Sequence, residues 1–229
     1  MRVPLRISHF GDRPVDISGR RLEKVLFDNC SLGPPSSPRY RSRISDIALI
    51  DCAQLASGVC GAILENVIVS GLSREGRIPL FLSGVVFNRC RLEGRISFFK
   101  LHAAPSALSP PSETAVWLAA NQDFYQSVDW ALDIQDADFT FGPDLHFVPG
   151  ALVKRHSETQ ALVRRSKLTS VSLGDLPWGK SSLSLAVQWF LQDSPYEDTV
   201  LVAAKKSRGF ADDLAAIRML RENGIAEPA

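Results

Sequence analysis

No stretch of this chain is apolar for the roughly twenty residues that a membrane-spanning helix needs. Net charge is almost absent: 26 basic residues meet 25 acidic ones, for +1 at neutral pH. Without a bulk field, nothing in the overall charge draws the chain to nucleic acid or to a membrane surface. The start, Met1-Arg2-Val3-Pro4-Leu5-Arg6, lacks a hydrophobic core behind its charges, so a signal peptide is not expected. Cysteine is sparse, with four residues and no Cys-x-x-Cys. These cysteines read as reduced core residues of a cytoplasmic protein. His9, His102, His146 and His156 are scattered, with no paired spacing that suggests a metal, and no Gly-x-Ser-x-Gly occurs.

What is present is a beat of five. Apolar residues recur at Ile17, Leu22, Phe27 and Leu32, and again at Leu49, Val59, Leu64 and Val69, with Gln54 in the same series. The beat returns at Leu82, Phe87 and Leu92. A mostly smaller set precedes these by two: Val25, Cys30, Cys52, Ala62, Val85 and Cys90. Period five fits neither a helix nor an ordinary strand. Internal similarity supports it, since Ile17-Ser18-Gly19, Val69-Ser70-Gly71 and Leu82-Ser83-Gly84 share one register. The predicted arrangement is a stack of short extended segments, with centres such as Phe27, Leu64, Phe87 and Leu92 in one core.

The stretch from about 15 to 100 resembles a degenerate pentapeptide-repeat protein. The resemblance implies a right-handed, four-sided β-helix, with Leu or Phe central in each five and Ala or Cys two before it. Arg20 and Gln54 depart from the pattern, and the stretches around 33–44 and 72–79 must loop out. The expected fold is therefore mainly β with α: a right-handed β-solenoid over 1–103, a linker over 104–111, and a mixed helical and β region over 112–229 that packs on or caps it. Some proteins of that family mimic DNA with an acidic surface; a balanced charge does not fit that role.

Helices are expected from Ser112 to about 130, from the capping-box form Ser157-Glu158-Thr159-Gln160 through Leu162 and Val163, and through Leu183, Val187, Phe190 and Leu191. A last one carries Phe210, Leu214, Ile217 and Leu220 and stops at Asn223-Gly224. The beat can resume at Ile134 and Phe139. Asp133, Asp136, Asp138 and Asp144 read as turn residues near it.

Two segments carry site hypotheses. Gly174-Asp175-Leu176-Pro177-Trp178-Gly179-Lys180-Ser181 satisfies the phosphate-binding loop pattern, with the β-like Thr169–Leu173 before it and a helix after it. There Gly174 and Gly179 would shape the loop, Lys180 would bridge phosphates and Ser181 would hold magnesium, making ATP or GTP with magnesium the cofactor. Against this, too few residues follow for a sheet of crossover units, Thr199–Ala203 ends without an acidic magnesium ligand, and Trp178 is bulky. The second segment is the proline-rich excursion ending in Arg39-Tyr40-Arg41-Ser42-Arg43, where Arg39, Tyr40, Arg41 and Arg43 are candidate contacts for an acidic partner and no core depends on Arg41 or Arg43. The resulting expectation is a non-enzymatic scaffold or binding module for another protein, without cofactor or metal. The alternatives are a nucleotide-binding protein and an accessory or immunity-type protein that blocks a partner.

Overall fold

The beat of five is visible in the backbone. In the computed structural model, which describes residues 2–105 and 109–228, φ turns positive at Asp46, Asp51, Ala56, Gly61, Asn66 and Gly71, five apart. Between these bends the chain is extended, and successive passes pair in parallel. The beat positions fall into columns. Leu22, Leu49, Val69 and Leu92 align across four neighbouring strands, and Ile17, Ile44, Leu64 and Phe87 do the same. A third column is Leu32, Val59, Leu82 and Leu101. Phe87 is buried in the core, with Phe27, Leu64 and Leu92 partly buried against it. Gln54, aligned with Phe27, is 2% exposed. It is tolerated because its amide donates to the Ile78 carbonyl at 3.0 Å and accepts from the Ser57 N–H at 3.1 Å.

The assembled architecture corrects the expected right-handed β-solenoid. The bends do not break the hydrogen-bond ladders: the strand Ser42–Leu55 runs fourteen residues through two of them. Among the described residues the strands therefore form one eleven-stranded and one five-stranded parallel sheet, and with four helices the arrangement is of α/β type. The eleven-stranded sheet continues past residues 104–111 to the strands Leu132–Asp133, Ala137–Phe139 and Val153–Lys154. Residues 106–108 of the expected linker lie outside the described residues.

The helices are α1 (Pro111–Tyr125), α2 (Arg165–Leu168), α3 (Leu183–Asp193) and α4 (Phe210–Glu222). Helix α1 starts after Pro110 rather than at a Ser112 cap; proline pre-sets the first helical φ. The helix expected after Ser157 is instead a strand, Gln160–Arg164, antiparallel to Asp198–Val202. Local capping chemistry loses to pairing because both runs are apolar and buried on both faces. The alternation of this ribbon divides two cores. Leu162, Val200 and Val202 face the core of the parallel sheets, whereas Ala161, Val163 and Leu201 face a second core built with Val187, Phe190, Ile217 and Leu220. Helix α4 stops at Asn223 with Gly224 at φ 65°, as its sequence implies. No helix among the described residues is long and apolar enough to cross a membrane.

Candidate functional site

The phosphate-loop pattern lacks the geometry that phosphate needs. Thr169–Leu173 is not a strand; Leu173–Asp175 is a short 3-10 turn. Gly174, Gly179 and Lys180 are exposed, and the Trp178 indole donates to the Leu173 carbonyl at 2.8 Å. Ser181 is 7% exposed. Its hydroxyl donates to Asp213 Oδ1 at 2.8 Å and accepts from the Leu183 N–H at 3.1 Å. The same carboxylate oxygen accepts from the Ser182 N–H at 2.9 Å. A helix N-terminus favours an anion, and at α3 that anion is Asp213, supplied by the first turn of α4. The expected magnesium ligand is thus a capping residue.

The basic excursion divides. Arg39 stacks on the Tyr40 ring at 4.5 Å and is exposed. Arg43 is exposed and pairs with Glu65. Arg41 departs from the expectation that no core depends on it. It turns inward beneath α1, 5.0 Å from the Trp117 ring, and donates to Asn121 Oδ1. Burial pulls its pKa down to about 10.

A third site unites residues that look unrelated in sequence. In the five-stranded sheet, Cys60, Ser83 and His102 occupy aligned positions at the carboxyl ends of the strands Gly58–Cys60, Leu80–Ser83 and Phe99–His102. The carboxyl ends of parallel strands are where open sheets commonly bind ligands. Ser83 Oγ lies 3.3 Å from His102 Nδ1. Lys100, two residues earlier, shares the outer face of the sheet with His102. Opposite stands the Asp144–His146 pair, in which the ring Nδ1 donates to Asp144 Oδ1 and the imidazole lies tilted against Phe147, ring centroids 4.0 Å apart. Lys100, His102, Asp144, His146 and Phe147, together with Thr114 and Leu118 of α1 and Trp189, Gln192 and Asp193 of α3, line a cleft of about 530 Å³; Cys60 and Ser83 lie behind its wall.

The electrostatics of this cleft are mixed. Burial, aided by Lys100 and His146, lowers the pKa of His102 from its ordinary value, while Asp144 opposes the shift. Burial pushes the Cys60 thiol up, and the Ser83 hydroxyl beside it pulls the other way. A thiol held protonated is a poor nucleophile. Ser83 is 4% exposed, behind His102, so its oxygen does not face the cleft. The arrangement can hold a ligand by one ammonium, two imidazoles and an aromatic lip. The spacing Asp144-Leu145-His146 is the one local hint of this site; its meeting with His102 spans more than forty residues. Two other acidic residues of that run pair elsewhere, Asp133 with Arg91 and Asp138 with Lys205 and Lys206. All four cysteines are free, and no cluster of three or more potential metal ligands occurs among the described residues.

No protein-family model, no curated protein and no solved structure matches this chain. The pentapeptide-repeat resemblance accordingly rests on the residues alone.

Proposed function

We propose that the protein is a non-enzymatic binding module that takes up a segment of another protein in the cleft between α1, α3 and the carboxyl edge of the five-stranded sheet. The observation that carries this reading is the lip of the cleft. Trp189 is 40% exposed, and Leu185, one turn earlier on α3, is 44% exposed. Tryptophan is one of the residues enriched among the anchors of protein interfaces. The inward placement of Ser83 and the protonated Cys60 thiol favour binding over nucleophilic catalysis. Four unpaired cysteines favour a reducing compartment, the cytoplasm.

The test is quantitative affinity capture from the cells of origin with wild type, Trp189→Ala and the distant surface variant Arg89→Ala. A protein retained by wild type and by Arg89→Ala, but reduced at least about tenfold with Trp189→Ala at equal melting temperature, supports the cleft as its docking place, since losing an aromatic anchor typically costs over 1 kcal/mol. A partner captured equally by all three chains would remove the cleft from the interface.

A further inference from the structure

The environment of Arg41 is short of acceptors. Its guanidinium has one hydrogen-bond partner, Asn121 Oδ1, and no carboxylate pairs with it among the described residues. Its Nε is buried without a partner. The same is true of the Trp117 indole N–H and the Tyr196 hydroxyl, so three of the four such atoms in the described residues belong to this cation and two residues beside it. Trp117 is 0% exposed. The Tyr125 hydroxyl accepts the Phe87 N–H at 3.2 Å, which leaves its own proton undirected. The acceptors nearby are already used: Asn121 Oδ1 takes Arg41, while its amide faces the Ala103 carbonyl at 3.4 Å. Trp117, Asn121 and Tyr125 stand at i, i+4 and i+8 on α1 and so share one helix face above Arg41. The Tyr125 and Tyr196 rings meet edge to face at 6.0 Å, and both lie within the field of the Arg41 charge.

Elsewhere this chain satisfies its inward arginines fully. Arg165 donates to the carbonyls of Phe190, Leu191, Ser194 and Tyr196 at 2.7–3.4 Å. Arg41 is the exception, and a part-buried charge with unmet donors is costly unless a counter-charge meets it. Cation–π contact with Trp117 offsets part of that cost but accepts no hydrogen bond.

We propose that Arg41, Trp117, Tyr125 and Tyr196 form a part-buried binding site for a small oxyanion, a phosphate or a carboxylate, beneath α1. The oxyanion supplies the missing charge and the missing lone pairs together. Water supplies lone pairs without charge, and chloride lacks the directed pair of oxygens that a guanidinium edge prefers.

The protein is dialysed free of oxyanions and its melting temperature followed against inorganic phosphate, and separately against acetate, with chloride at matched ionic strength and pH. A saturable rise with phosphate or acetate over chloride is expected for wild type, because a ligand that binds only the folded state raises its stability. Which anion produces the rise identifies phosphate or carboxylate as the ligand. Arg41→Gln is expected to abolish it. Tyr196→Phe removes one donor and keeps the ring, Trp117→Phe removes one donor and keeps a smaller aromatic ring, and each should weaken the apparent affinity about two- to tenfold. These two variants carry the test if Arg41→Gln does not fold. Equal melting in all three salts, or an unchanged rise in Tyr196→Phe and Trp117→Phe, overturns the proposal.

Discussion

The parallel sheets of the first hundred residues and the helical unit after residue 157 are held by different means. In the sheets, strength comes from repetition: apolar columns such as Leu22, Leu49, Val69 and Leu92 bury one another strand after strand. In the second unit a few long side chains tie distant backbone segments. Arg165 collects the carbonyls that end α3, stacking on the Phe190 ring at 4.9 Å. Arg221 donates to the carbonyls of Ser157, Glu158, Gln160 and Glu227. Both arginine clamps satisfy helix or loop carbonyls that would otherwise lack donors. The difference is where damage spreads. A column loses packing over several strands, whereas a clamp fails at one point.

Phe87→Ala gives the largest expected effect. Phe87 is 4% exposed, lies in the Leu64 column and donates its N–H to Tyr125. Truncating a buried Phe costs about 3–5 kcal/mol, so urea unfolding should show a midpoint far below wild type. A midpoint within error of wild type would mean that the columns are not the stabilising unit.

Arg165→Ala should follow, at roughly 2–3 kcal/mol, since several carbonyls lose a charged donor. Arg165→Lys should recover only part, because an ammonium cannot match a planar fork that reaches four carbonyls. Hydrogen exchange would show the loss concentrated in α3. Uniform loss across the parallel sheets would show instead that the two regions unfold as one.

The smallest effects separate capping from nucleotide binding within one motif. Asp213→Ala should cost about 1–2 kcal/mol through loss of the α3 cap. Lys180→Ala, at an exposed position, should stay within about 0.5 kcal/mol. Calorimetry with magnesium-ATP checks the same pair: micromolar binding lost in Lys180→Ala would make the loop a nucleotide site after all.

Which parts were legible in the chain follows from the range of the forces involved. The beat marked the core columns because inward positions recur with the backbone bends, a local property. Helices α3 and α4 were legible from apolar spacing and, for α4, from Asn223-Gly224. The capping-box reading at Ser157 failed because the strand Asp198–Val202, some forty residues away, offered a better partner for Gln160–Arg164. The phosphate-loop pattern, as a short motif, carries no information on Asp213, whose carboxylate occupies the helix N-terminus.

The sequence by itself determined the spacing of inward residues, the bends that follow them and the amphipathic helices, since each depends on neighbours within a few turns of chain. Only the tertiary structure decided that these segments join as extended parallel sheets rather than as a closed four-sided coil, because the hydrogen-bond ladders run on through the bends. It alone turned Arg41 inward and brought Asp144 and His146 opposite His102. Those placements depend on burial and charge summed over elements far apart in the chain, which no local pattern of residues encodes.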